Sequence, residues 1–202
     1  MIKVDGVIAN NGQLAYDSNN KILYDCPIEG KLKEMIVNMY DNEILPMFIN
    51  TESNVYANFV DDAMLKVQSN IYFPIPEVKK YNNDKFYMCS AFYTGNDTVW
   101  NKLDDMKEYA NITYWHDGAV DIIPKDASKA LGISKLLKYY GIDKKDSMGI
   151  GDANNDIEMI EYCGVGIAMG NATDEAKNIA DYITSNVDDD GIYNAFKKFY
   201  IF

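Results

Sequence analysis

The sequence predicts an α/β protein in which an N-terminal α+β unit is followed by a parallel sheet with crossover helices. In the C-terminal third, short apolar runs alternate with segments of helical spacing, an order typical of a parallel sheet. In the N-terminal part, strand-like runs are paired across turn signals, which indicates antiparallel neighbours. Pro124-Lys125-Asp126 separates the two patterns. The predicted domains are therefore residues 1–123 and 124–202.

The N-terminal unit opens with a predicted hairpin over residues 6–17, and a third strand follows over 21–25. The two hairpin strands, Val7-Ile8-Ala9 and Leu14-Ala15-Tyr16, flank the turn signal Asn11-Gly12. Spacing, alternation and turn residues predict the rest of the unit. These further elements are a helix over 29–41, strands over 46–50 and 54–59, a helix over 61–67, a mobile loop over 70–83, a strand over 85–93, a helix over 98–109 and a hairpin over 112–123.

The C-terminal domain is predicted as an alternation of helices and strands. Its elements are a helix over 129–140, a strand over 148–151, a helix over 155–162, a strand over 165–169, a helix over 174–180, a strand over 182–184 and a helix over 192–200. In a sheet of this kind the carboxyl ends of the strands meet at one edge, where ligand-binding groups gather.

The most informative motif is Gly149-Ile150-Gly151-Asp152-Ala153-Asn154-Asn155-Asp156, which lies at such a strand end. Asp152 follows the strand, and Asn155 and Asp156 come at the spacing that shares one face of a first helical turn. Carboxylate oxygens suit a hard cation such as magnesium, while amide groups at a helix start face an anion such as phosphate. The alternative is purely structural, because an Asp before a helix is a common N-cap and Asn-Asn-Asp is ordinary turn chemistry.

Composition narrows the classes of partner. The 202 residues include 48% hydrophobic side chains, which suits a globular core, and carry a net charge of −12. That charge disfavours nucleic acid and anionic membranes as partners. Cys26, Cys89 and Cys163 show neither a zinc spacing nor a disulfide framework. With no signal-peptide pattern and no long apolar run, we expect a cytoplasmic protein.

Five short segments between residues 120 and 191 follow one another in an order that carries a family resemblance. They are Val120-Asp121-Ile122-Ile123-Pro124, Ala127-Ser128-Lys129-Ala130-Leu131, Gly151 to Met159, Gly166 to Ala172, and Ala180 to Thr184 with Asp190-Gly191. In this order they resemble the C-terminal core of haloacid-dehalogenase-like (HAD) phosphatases, in the Cof-type, sugar-phosphatase-like branch. Asp5 to Gly12 resembles the entry into the cap domain of that branch. The resemblance implies a partial HAD-like, Rossmannoid parallel-sheet core, with residues 1–123 as an α+β cap.

The resemblance also implies roles for the residues that match its motifs. Lys129, in the lysine motif, is the implied catalytic residue that pairs with the nucleophile and the transferring phosphate. Asp152 is an implied Mg²⁺ ligand, and Asp156 is either a second metal-site carboxylate or the group that orients Lys129. Asn155 is the implied phosphate donor. The candidate substrate rim consists of Asn11, Gly12 and Asn171.

Structural interpretations of these residues stay open beside the functional ones. Asp156 suits the positive end of a helix dipole, a lysine is ordinarily solvated, and Asn11-Gly12 is a plain hairpin turn. The single histidine, His116, is predicted to be a turn residue next to Asp117-Gly118. The acidic run from Asp188 to Asp190 is predicted to be a solvated loop.

One departure from the family pattern bears on activity. Enzymes of this family begin with a strand that ends in Asp-x-Asp-Gly-Thr, where the first Asp is the nucleophile and the second is the acid/base. The nearest string is Lys3-Val4-Asp5-Gly6-Val7, which has a lysine at the nucleophile position and reads as the cap entry. The second motif, a Ser or Thr after the next core strand, is also without an equivalent. We therefore expect the chain to start after both, with on the order of 60 residues of βα structure missing.

The resemblance implies a Mg²⁺-dependent phosphohydrolase of small phosphorylated metabolites such as sugar phosphates, acting through an aspartyl-phosphate. Without the nucleophile, the chain alone is expected not to turn over phosphate esters. The alternative is a non-catalytic remnant or a module that binds phosphate or metal, and a phosphotransferase or mutase of the same superfamily stays open. The strands at 148 and 165 are expected to have an open edge, covered by self-association or by a missing N-terminal segment.

Overall fold

The computed structural model describes residues 4–93 and 102–200. In the first half of the chain the elements are β1 (Gly6–Ala9), β2 (Leu14–Asp17), β3 (Ile22–Asp25), α1 (Gly30–Asp41), β4 (Met47–Asn50), β5 (Val55–Ala57), α2 (Asp62–Ile71), β6 (Glu77–Val78) and β7 (Met88–Phe92). In the second half they are β8 (Ala110–His116), β9 (Ala119–Pro124), α3 (Lys129–Tyr140), β10 (Met148–Gly151), α4 (Ile157–Tyr162), β11 (Val165–Ala168), α5 (Asp174–Ile179), β12 (Tyr182–Ile183) and α6 (Gly191–Lys198).

Most of the predicted elements are confirmed, and the differences lie at the ends of elements and in one strand that was not predicted. Helix α2 runs to Ile71, beyond the predicted end at 67, and its N-cap is Asp61, whose side chain accepts from the N–H of Met64. The segment predicted as a loop over 70–83 contains β6, which pairs in parallel with β5. Residues 98–101 of the predicted helix over 98–109 lie outside the described residues, and regular helix ends before residue 105. No described helix combines the length and apolar character needed to cross a bilayer.

The chain divides into two compact units: residues 1–24 with 128–202 form unit 1, and residues 25–127 form unit 2. The sequence pattern predicted residues 1–123 as one domain. The difference arises because the first hairpin packs on α3: a Cβ added at Gly132 would lie 2.8 Å from both Ile8 Cγ2 and the Gly12 carbonyl oxygen. A glycine on the helix thus admits the hairpin backbone at close range.

Unit 1 contains two small sheets. Strands β1 and β2 form the predicted antiparallel hairpin, and β3 lies beyond β2. Strands β10, β11 and β12 form a parallel sheet in that order. Among the described strands, β10 pairs only with β11 and is therefore an edge strand, as expected. The open edge expected for the strand at 165 was wrong, because β11 lies between β10 and β12. The apolar core of this part gathers Ile160, Ala168, Met169, Ala172 and Ala176.

Unit 2 is built on a six-stranded sheet with the order β6-β5-β4-β7-β9-β8. Alternating side chains separate its two faces. On one face, Leu32 and Ile36 of α1 pack in the same core as Ile49 and Ile122 of the sheet. On the other face, α2 packs against a smaller apolar cluster. The members of that cluster are Phe48, Ala57, Met64, Val67, Phe92 and Ala119.

Candidate active site

Helix α3 begins at the lysine that the sequence singled out. Ser128 is its N-cap, and the Ser128 hydroxyl oxygen accepts from the N–H of Leu131 at 3.2 Å. Lys129 is therefore the first helical residue, with a defined direction for its side chain. Its ammonium nitrogen lies 2.5 Å from Oδ1 of Asp156, which makes a short charge-assisted hydrogen bond.

Asp156 is buried, with 5% of its surface exposed, and both of its carboxylate oxygens are engaged. While Oδ1 takes the Lys129 ammonium, Oδ2 accepts from the backbone N–H groups of Asp152 at 3.0 Å and Ala153 at 3.1 Å. Gly151 makes this fold-back possible, because a Cβ at that position would come 2.4 Å from the Asp156 Cβ. These three donors compensate the cost of burying the charge. In this arrangement Asp156 orients Lys129, which is one of its two predicted roles.

Asp152 follows β10 and is exposed. Asp156 accepts from the N–H groups of Asp152 and Ala153, which precede it, and its side chain makes no cap bond to α4, so the N-cap interpretation of the motif describes neither aspartate. Oδ2 of Asp152 accepts from the side-chain amide of Asn171 at 3.1 Å. That amide is itself held, because its Oδ1 accepts from the N–H of Val187 at 3.0 Å. Asn171, predicted as a substrate-rim residue, thus contacts a carboxylate of the site and fixes its direction.

The predicted Asn11-Gly12 turn lies beside the same group of residues. Asn155 donates from its side-chain amide to Oδ1 of Asn11 at 3.3 Å. Asn11 has left-handed backbone angles, and Gly12 has a φ of +101°. A Cβ on Gly12 would lie only 1.9 Å from the carbonyl oxygen of Ser128, so the turn packs closely against the N-cap of α3. The geometry requires glycine here.

A cavity of about 310 Å³ lies among these residues. Its lining combines a polar part, Asn11, Gly12, Lys129 and Asp156, with an apolar part, Ile8, Ile133, Ile150 and Met159. The sequence analysis did not predict the apolar members of this lining. Helical spacing could have identified two of them, because Ile133 lies one turn after Lys129 on α3 and Met159 lies three residues after Asp156. An ammonium next to an apolar cavity is a strong attractor for an anionic group.

Other sequence features lie elsewhere. His116 belongs to unit 2 and is the last residue of β8, directly before the turn in which it was predicted to lie; its Nδ1 accepts from the N–H of Gly118 at 3.1 Å. Asp188 and Asp189 lie in an exposed 3₁₀ turn before α6, in agreement with the predicted solvated loop. Within residues 4–93 and 102–200, no three acidic, histidine or cysteine side chains converge as a metal cluster. The cysteines are free, with Cys89 and Cys163 buried.

Comparisons with known proteins agree with the resemblance. The family model for haloacid dehalogenase-like hydrolases matches residues 1–196. "Putative phosphatase YkrA" of Bacillus subtilis (strain 168) is 30% identical over 201 residues, which cover 96% of this chain and 76% of that protein. A hypothetical protein of Geobacillus kaustophilus HTA426 superposes with a TM-score of 0.86 at 29% identity, over 98% of this chain and 78% of the other.

A solved sugar phosphatase has the same fold. The HAD subclass IIB sugar phosphatase BT4131 matches with a TM-score of 0.83 at 25% identity, over 98% of this chain and 77% of its own. The predicted fold class, a HAD-like parallel-sheet core accompanied by α+β structure, is therefore confirmed. The chain belongs to the haloacid dehalogenase-like hydrolase family.

Proposed function

We propose that this chain is part of a Mg²⁺-dependent phosphatase of small phosphorylated metabolites, with sugar phosphates as the first candidates. The observation that carries the proposal is the Lys129 ammonium, which Asp156 orients beside the cavity of about 310 Å³ in unit 1. Asp152 follows directly after β10, whose Ile150 lines the same cavity. Similarity to the sugar phosphatase BT4131 supports the substrate class. The cysteine usage and the acidic composition support a cytoplasmic setting without nucleic acid or membrane partners.

Each side chain has a chemical task in this proposal. Lys129, held by Asp156, places a positive charge where the transferring phosphoryl group develops negative charge. Asn155, supported by Asn11, presents an amide to a phosphate oxygen. Asp152, directed by Asn171, holds the metal. When bound, Mg²⁺ neutralises phosphate charge during transfer.

Asp152 can serve a Mg²⁺ site although no cluster of acidic side chains is present among the described residues. Magnesium is commonly bound by one or two protein carboxylates, with waters and substrate phosphate as the remaining ligands. Asp152 offers one exposed carboxylate of this kind. The carboxylate of Asp156 already serves Lys129 and two backbone N–H groups, so we assign it to positioning, with any role at the metal passing through water.

The aspartyl-phosphate route needs a nucleophilic carboxylate in the cavity. Among the described residues that line it, Asp156 is the acidic one, and both its oxygens are engaged. We propose that the nucleophile is delivered by a strand that pairs with the edge of β10, from a preceding segment or from a second copy of the chain. We further propose unit 2, residues 25–127, as the cap, in place of the predicted 1–123.

The cavity without a second carboxylate also favours an alternative function: a non-catalytic module that binds phosphate or metal. Isothermal titration with Mg²⁺ and orthophosphate tests the binding that both functions require, and phosphatase assays on a sugar-phosphate panel test catalysis, because turnover would exclude the non-catalytic module. We expect binding but no turnover by the chain alone, and a loss of Mg²⁺ affinity of about tenfold or more in Asp152→Asn.

The matched control is Asp174→Asn, which removes an exposed acid from the first turn of α5. It is expected to keep wild-type Mg²⁺ affinity. Mg²⁺-dependent turnover that Asp152→Asn abolishes would establish a complete enzyme and refute the need for an added strand. The absence of Mg²⁺ binding by the wild-type chain would contradict the metal assignment.

A further inference from the structure

Unit 2 has a second cavity, of about 210 Å³, on the sheet face that carries α2. The alternation of β4 and β7 explains its lining: Met47, Ile49 and Cys89 belong to the core beneath α1, so their neighbours Phe48, Ser90 and Phe92 point to the opposite face. Helix α2 covers only part of this face through Met64 and Val67. The uncovered part is the cavity, which we call the unit 2 cavity.

A polar pair lies within this apolar face. In the sheet register, Ser90 of β7 stands opposite Asp121 of β9. The Ser90 hydroxyl donates to Oδ1 of Asp121 at 2.7 Å, and the Trp115 indole N–H donates to the same oxygen at 3.0 Å. Two fixed donors thus hold a carboxylate among aromatic rings, with the Phe92 and Trp115 ring centroids 6.4 Å apart.

Gln68 supplies the decisive observation. It lies on α2, lines the unit 2 cavity and is 3% exposed. Within the described part of the chain, neither its side-chain nitrogen nor its side-chain oxygen has a hydrogen-bond partner. A buried amide with both groups unpaired is costly, and such groups in native proteins ordinarily have partners. Because Gln68 lines the cavity, a ligand bound there is the candidate source of the missing donor and acceptor.

The chemistry of the lining selects the class of ligand. None of the described residues that line the cavity is basic, and Asp121 contributes negative charge, so the site disfavours anions such as phosphate. Phe48, Phe73, Phe92 and Trp115 offer surfaces for a flat ring. The volume is that of about seven water molecules, which leaves room for one six-membered heterocycle.

We propose that the unit 2 cavity binds an uncharged planar heterocycle, whose edge carries an N–H donor next to a carbonyl acceptor that pair with the Gln68 amide. This site lies within unit 2 and is independent of the proposed phosphoryl chemistry. Metal and phosphate are therefore left out of the test, so that a failure of one proposal is not mistaken for a failure of the other.

The test uses uracil as the probe and the full chain with Trp100→Phe, which leaves Trp115 as the sole tryptophan. Because the Trp115 ring lines the cavity, we expect saturable quenching of its emission by uracil. Gln68→Leu removes the amide at similar volume and should weaken binding by about tenfold or more. Orotate, which adds a carboxylate to the same ring, should also bind about tenfold more weakly because of Asp121.

The matched protein control is Lys66→Ala, an exposed position on the same helix outside this cavity, which should bind uracil as the parent does. Thermal melting checks that each variant folds, and Gln68→Met serves in place of Gln68→Leu if the latter does not. Absence of saturable quenching, or equal uracil affinity in the variant without the amide, would overturn the proposal.

Discussion

At the scale of single residues, two aspartates four positions apart have opposite environments. Asp156 is buried, and its two oxygens accept from three donors within the protein. Asp152 is exposed and contacts one side-chain amide. The first carboxylate is therefore built into the structure, whereas the second is accessible to a ligand. Their sequence spacing predicted a common face but did not separate these two tasks.

This difference predicts opposite consequences for two matched substitutions. Asp156→Asn leaves the Lys129 ammonium without its anionic partner. It should lower the free energy of unfolding by about 2–4 kcal/mol, because the remaining charge is then partly buried without compensation. Asp152→Asn should change it by less than about 1 kcal/mol, as an exposed site does. Urea denaturation of both variants measures the difference. Equal losses would mean that Asp156 is not the structural member of the pair.

At the scale of elements, the hairpin turn and the start of α3 depend on one glycine. Gly12→Ala combines a positive φ with a Cβ that would overlap the Ser128 carbonyl, so the hairpin and helix must separate. We expect a loss of about 3 kcal/mol or more in unfolding free energy. Gly141→Ala, at a φ of +67° with nothing within 4 Å, is the control and should cost about 1 kcal/mol. Thermal or urea unfolding compares the two, and similar losses would argue against close hairpin–helix packing.

Elements with local signals were predictable from the sequence, and long-range contacts were not. Helix α3 matches the prediction because Ser128 caps its start and Gly141 ends it in the left-handed region. Strand β6 was missed because its two exposed residues pair with β5 and have no pattern of their own. Within the site, the pairing of Lys129 with Asp156 was anticipated by motif, whereas the contact of Asn171 with Asp152 depends on how two loops meet. Patterns within one element do not predict a contact between two loops.

At the scale of the whole molecule, the first residue of unit 2, Asp25, forms an ion pair with Lys85. The Lys85 ammonium, 2.9 Å from Oδ2 of Asp25, lowers the pKa of that carboxyl, and the Tyr87 hydroxyl acts in the same direction against the effect of burial. A lowered folded-state pKa contributes stability above the unfolded pKa of about 3.9, and this stability is lost as the pH falls through the folded value. Unit 2 should therefore lose stability as the pH falls below about 4.

Asp25→Asn isolates this contribution. Its unfolding free energy should fall less steeply than that of the wild type below about pH 4, and it should be lower than that of the wild type at neutral pH. Asp41→Asn, an exposed aspartate at the end of α1, should keep the wild-type slope. Urea denaturation across the acid range makes the comparison. A wild-type slope in Asp25→Asn would contradict the assignment.

The first hairpin packs with unit 1, whereas the sequence pattern grouped it with residues 1–123. Residues 6–17 look like the first part of an antiparallel unit, and the hairpin pattern itself was correct. Which unit a hairpin joins depends on its partner, and that partner, α3, lies more than a hundred residues later in the chain. Periodicity describes one element at a time and contains no such information.

The split composition of unit 1 has a consequence for the order of folding. Its two segments are separated by the roughly 100 residues of unit 2, and joining them through an unstructured loop of that length would cost about 4 kcal/mol of chain entropy, before any constant term. Unit 2 is continuous in sequence and has its own core, so it can fold first. Once folded, it replaces the long unstructured loop and lowers the chain entropy lost when the two segments of unit 1 meet. The first hairpin is then synthesised before unit 2, but it can pack on α3 only after unit 2 and α3 have been made.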